Sequence, residues 1–169
     1  MSMAQSLLPE LDQEMAGTRK TLERIPEDKF DWRPHPKSFT MIALATHIAT
    51  MVGWGAITVK EESFDFAPPG AEPYKEEPAG SVAALIETFD KGFAEFREAL
   101  AGASDEAIMK DWSLLVGGET LFKRPRVACL RDMILSHLIH HRAQLGVYLR
   151  LNDVPVPAIY GPSADEDGM

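Results

Sequence analysis

Five histidines and one cysteine carry the side chains best suited to metal binding or nucleophilic chemistry: His35, His47, His137, His140, His141 and Cys129. His137 and His141 are spaced i, i+4, which stacks two side chains on one helix face with Cβ atoms roughly 6 Å apart. From that distance two imidazoles can converge on one ion. Both fall on the apolar stripe of Leu130, Ile134 and Leu145, so they face inward. His140 is turned about 100° away from His141, toward the flank. His47 lies on a second apolar face, one turn after Leu44 and one turn before Met51. A histidine pair at this spacing is also common on helix surfaces, and a lone inward histidine is usually satisfied by a carbonyl or carboxylate. Three inward imidazoles are costly to desolvate without partners, however, and a single divalent ion satisfies all three acceptor nitrogens. Three protein ligands leave coordination positions open, the pattern of a catalytic or ligand-exchanging site. Such an ion lowers the pKa of a bound water or thiol, or polarises a carbonyl. Neutral imidazoles suit zinc, nickel, copper or iron. No acidic residue shares the face of His137 and His141, so the carboxylate that often orients such ligands has no candidate there.

The remaining candidates have plainer readings beside the functional ones. Cys129 sits in an apolar segment and reads as a small buried hydrophobe, with nothing to mark a lowered thiol pKa. Trp32 and Trp54 read as core or pocket wall. Tyr148 follows His141 by seven residues and shares its face; its hydroxyl either donates into the site or meets an ordinary partner. Arg142 and Gln144 flank the stripe and suit helix packing or an interface. The cluster Lys123-Arg124-Pro125-Arg126 reads as a solvated loop, or as an anion contact at the mouth of a site.

Four helical stretches must position these residues. The first runs from about 4 to 24 with Leu7, Leu8, Leu11, Met15, Leu22 and Ile25 inward, and Pro26 closes it. The second runs from about 39 to 61, with Ser38 as N-cap and Met41, Leu44, Ala45, Ile48, Met51, Val52 and Gly55 inward. Residues 62–80, with four prolines, form an irregular connection. The third helix starts at Gly80 or Ser81 and runs to about 101, burying Leu85, Ile86, Phe89, Phe93, Phe96 and Leu100. Residues 103–124 give a weak hairpin signal around Gly117-Gly118. The fourth helix runs from about 125 to 151, with Pro125 in its first turn.

The chain has 169 residues, 45% of them apolar, which fits one domain over 1–162 followed by an acidic tail, 163–169, expected to be disordered. A net charge of −9 with scattered Lys and Arg argues against a nucleic-acid partner. A single cysteine excludes an internal disulfide and fits a reducing cytoplasm. The N-terminus lacks a secretory pattern, and no run approaches 18 uninterrupted apolar residues, so no membrane span is expected.

The segment HLIHHRAQLGVYLRLNDVPVPAIYGPS, with its H-x-x-x-H-R-x-Q pattern, resembles the last helix and tail of the DinB-like family. FDWRPHPKSFTMIALATHIA resembles the family's aromatic-Arg-Pro loop and the histidine-bearing helix after it. Ala143 stands where the family often has glycine, and His140 where it often has histidine. The resemblance implies an all-α four-helix bundle in up-down-down-up order with long crossover loops, often dimeric. It also implies a divalent metal held by His47, His137 and His141, with zinc or nickel favoured over iron or copper. Members with known activity resemble transferases that join a low-molecular-weight thiol to a small electrophile, or thiol-dependent isomerases. A non-catalytic, stress-associated metal-binding dimer is a different class, distinguished by a plugged coordination position. Metal-dependent hydrolysis ranks third, because no general base is in view.

Overall fold

The computed structural model describes residues 2–167. Helix α1 (Met3–Leu22) opens on a capping box in which the Ser2 hydroxyl accepts from the Gln5 N–H and the Gln5 side chain accepts from the Ser2 N–H. Helix α2 (Met41–Lys60) starts at Thr40, whose hydroxyl accepts the Ala43 N–H, so the cap lies two residues beyond the expected Ser38. Ser81 caps α3 (Val82–Gly102), as expected. The last helical rod is α5 (Arg126–Cys129), a π-helical segment (Leu130–Ser136) and α6 (His137–Leu151), joined without leaving helical backbone.

The chain is mostly helical, but the all-α expectation is corrected by a three-stranded sheet in the order β1-β2-β3. Strand β1 (Ser63–Asp65) pairs parallel to β2 (Asp111–Val116), which pairs antiparallel to β3 (Glu119–Pro125). A short helix, α4 (Asp105–Met109), precedes β2. The hairpin forms where Gly117-Gly118 signalled it, with φ of 65° and 83°, values that favour glycine. The Asp65 carboxylate accepts both of their N–H groups and so ties β1 to the turn. The segment Lys123–Arg126 is therefore not a loop: it completes β3 and enters α5. Arg124 pairs with Asp132 at 2.7 Å, and buried Arg126 donates to the carbonyls of Thr58, Ala107 and Glu61, closing the C-terminal ends of α2 and α4.

Helix α2 packs between α3 and the final rod, and α1 packs against both as well. Helix α1 runs antiparallel to α3: Arg19 bonds Asp90 at 2.9 Å, Asp12 bonds Arg97 at 2.7 Å, and the Met3 N–H meets Asp105 at the far end. Helices α2 and α3 run parallel, with Thr46 beside Ala79, Gly53 beside Gly92 and Gly55 under Phe96. A Cβ on Gly92 would stand 3.0 Å from the Gly53 nitrogen, so this approach requires glycine. All seven residues expected on the inward face of α2 are buried. By length and composition α2 could cross a membrane. That apolarity is accounted for by packing, since most of the helix is buried inside the fold.

The tail is not loose over its described residues. Glu166 pairs with Arg24 and accepts the Ala158 N–H; Asp165 pairs with Arg150 and accepts the Val156 N–H. Tyr160, just before it, donates to Glu14 at 2.7 Å and accepts from Arg142, an almost fully buried ion pair between α1 and α6. Expected disorder at 168–169 lies outside the described residues.

Candidate metal centre

His47 comes from the second turn of α2, while His137 and His141 come from the first turns of α6, antiparallel to it. The three rings meet with centroids 5.3 Å (His47 to His137), 5.0 Å (His47 to His141) and 4.6 Å (His137 to His141) apart. One ring nitrogen from each lies within 4.8 Å of the others. All three are partly buried. His140 is exposed, with its ring against that of His141 and outside the cluster; His35 is an exposed loop residue.

The outer nitrogens fix the tautomers. His137 Nδ1 lies 3.2 Å from the Met133 carbonyl, an acceptor only, so it must donate. His141 Nδ1 faces Gln144 Oε1 at 2.7 Å, and His47 Nδ1 faces Glu76 Oε2 at 3.0 Å. Each ring, when neutral, thus carries its proton outward on Nδ1 and keeps a lone pair on Nε2. The two Nε2 atoms of His137 and His141 stand 2.9 Å apart, two acceptors with no proton of their own to share. A bound cation removes that conflict, so the donor set fits a divalent ion held by nitrogen ligands.

Glu76 was invisible to sequence reasoning. It belongs to the proline-rich connection, and its Oε1 accepts from Thr50 at 2.6 Å and from Tyr74 at 3.3 Å while Oε2 holds His47. It is the carboxylate that the α6 face lacked, supplied from another element. The sheet positions it: the Phe66 N–H bonds Leu115 of β2, and the Tyr74 N–H bonds Phe66. At the far end, the Ala79 N–H bonds Thr46 on α2. Residues 66–79 form a strap pinned beside His47. Gln144 also serves the site; its i, i+3 spacing from His141 was a usable signal. Phe39, 54% exposed, stacks on His47 at 6.1 Å, and Trp54 presents an edge to it at 5.7 Å. Tyr148 donates to the Phe39 carbonyl at 3.2 Å and packs edge-on against Trp32, so its hydroxyl has an ordinary partner and steadies the loop bearing Phe39. Arg142 serves helix packing, as expected. Cys129 is fully buried, and burial raises its thiol pKa.

A family model described as the DinB superfamily matches residues 10–145. The chain belongs to the DinB superfamily. Its fold is similar to crystal structures of a DinB-like protein from Bacillus cereus (22% identity, TM-score 0.70, covering 92% of this chain and 97% of that one) and of one from Bacillus subtilis (20%, 0.68, 91% and 97%). A third, described as a putative DinB family member from Exiguobacterium sibiricum, matches at 18% identity and a TM-score of 0.62, covering 94% and 97%. No curated protein matches the chain.

Electrostatics in this DinB superfamily member favour the neutral ligand form. Burial lowers the pKa of His137, and the neighbouring His47 lowers it further. Burial lowers that of His141 as well, against the opposing pull of Gln144. Burial alone would raise Glu76, but hydrogen bonds from His47, Thr50 and Tyr74 outweigh it and hold the carboxyl below its ordinary value. Because His137 and His141 bind protons less readily folded than unfolded, the metal-free protein is more stable above the ordinary imidazole pKa of about 6.5. That stability is lost as pH falls from there toward the depressed folded values, and the loss then levels off. Urea midpoints of chelator-treated protein will fall over this window, and a His137→Gln/His141→Gln double variant will show a shallower fall. An unchanged slope in the double variant would contradict the assignment.

Proposed function

We propose that His47, His137 and His141 hold one divalent transition metal, zinc or nickel before iron or copper, for the transfer of a low-molecular-weight thiol to a small electrophile. The carrying observation is the pair of Nε2 lone pairs facing each other at 2.9 Å with a third histidine beside them. An ion bound there supplies Lewis acidity, which raises the thiolate fraction of a thiol at neutral pH. The chain supplies the rest. Glu76, Gln144 and the Met133 carbonyl fix ring tautomers and orientations, and Phe39 and Trp54 shield His47 from water. Hydrolysis gains little from Glu76, whose two oxygens are already engaged by His47, Thr50 and Tyr74.

The scaffold of this reading is a four-helix bundle in up-down-down-up order. In its favour, α1 runs antiparallel to α3, α2 runs parallel to α3, and the final rod runs antiparallel to α2, as the contacts Thr58–Arg126 and His47–His141 require. The protein works in a reducing compartment, the cytoplasm, in keeping with its one buried thiol. It acts as a homodimer: the outer face of α6 leaves Val147 and Leu151 more than half exposed. Sedimentation at micromolar concentration will give twice the 18.7 kDa chain mass; the monomer mass would refute the dimer.

Zinc- or nickel-loaded protein, offered a panel of common cellular thiols and small electrophiles, will consume thiol. Glu76→Gln will slow the reaction at limiting metal by about 10- to 100-fold, because loss of the orienting carboxylate weakens the ligand it holds. No thiol consumption anywhere in the panel would overturn the transferase reading and leave a metal-binding protein without catalysis of its own.

A further inference from the structure

Beside the histidines, α2 and α3 flank a groove of about 400 Å³ lined by the aromatic Trp54, Phe64 and Tyr74 and by the small residues Ala49, Gly53 and Gly92. Its rim carries Lys60 and Lys91 against Glu61 and Glu95, so the formal charges cancel and the space suits an uncharged occupant. Trp54, Ile57 and Phe64 also wall a second, inner cavity of about 10 Å³, closed by Trp112, Leu114 and Met133. That volume holds one atom group the size of a water. Trp112 is 2% exposed, and among the described residues its Nε1–H has no hydrogen-bond partner. A buried donor left unpaired is uncommon and asks for an acceptor.

We propose that groove and inner cavity form one binding site for a small, neutral aromatic molecule bearing a carbonyl-type acceptor. The ring lies among Trp54, Phe64 and Tyr74. The oxygen passes between Trp54 and Phe64 to accept from Trp112 Nε1. Phe64, only partly buried and on a three-residue edge strand, is a wall that groove and cavity share. The same walls support the histidines, since Trp54 packs edge-on against His47 and both Thr50 and Tyr74 hold Glu76. An occupant therefore presses on the residues that orient His47, and the site exists whether or not the histidines hold an ion.

Calorimetric titration of untagged, chelator-treated protein with acetophenone and with ethylbenzene, which matches it in size but lacks the acceptor, separates the two parts of the proposal. Acetophenone is expected to bind saturably at one site, about tenfold more tightly than ethylbenzene. Trp112→Phe removes the donor and brings the two affinities together. Thr88→Phe, on the exposed α3 wall of the groove, weakens both ligands while circular dichroism stays unchanged, and it decides the matter if Trp112→Phe fails to fold. No saturable acetophenone binding, equal affinities in the native protein (a water then meeting Trp112), or undiminished binding to Thr88→Phe would each overturn it. Because metal is absent throughout, failure of the metal reading leaves this result untouched.

Discussion

Two imidazole lone pairs 2.9 Å apart repel each other unless positive charge lies between them. A shared proton would serve, but burial and the neighbouring ring work against it, holding His137 and His141 toward the neutral form. The outer nitrogens cannot rotate out of the conflict either, because each is tied to an acceptor. The arrangement is preorganised for a cation to which three neutral nitrogens can donate at once. It also makes the metal-free fold sensitive to acid.

Much of the remaining architecture serves to hold that cluster. The antiparallel placement of α6 on α2 brings the i, i+4 pair opposite His47. The glycine contact at Gly53 and Gly92 lets α3 lie close along the other side of α2. The small sheet carries the strap that delivers Glu76, and Asp65 fastens the first strand of that sheet to the hairpin turn. On the opposite flank the buried Arg142–Glu14 pair, satisfied by Thr18 and Tyr160, couples α6 to α1. Buried charges of this kind stabilise only when every donor and acceptor is met, and breaking one partner is costly.

The histidines were legible because helical periodicity is local: spacing of four along one stripe places two of them, and the apolar neighbours of His47 place the third. Glu76 was not, since it sits in a segment without periodicity and its three contacts span 2, 26 and 29 residues. The hairpin showed through its paired glycines, whereas β1 has only three residues and gains its identity from pairing with β2. Acidic composition suggested a loose tail, but composition does not reveal that Arg24 and Arg150 stand ready to receive Glu166 and Asp165. For the second helix the expected cap was Ser38, but the Trp32 carbonyl takes the Met41 N–H and the Thr40 hydroxyl takes the Ala43 N–H, which sets the cap two residues later.

The central claim is that three histidines share one ion, and the most direct test is to quantify metal by mass spectrometry in protein purified without a histidine tag, beside His137→Ala. About one equivalent of a transition metal in the native protein, lost in the variant, is the predicted result. No metal in either form, even after zinc or nickel is added, would contradict it and leave the three imidazoles as core residues.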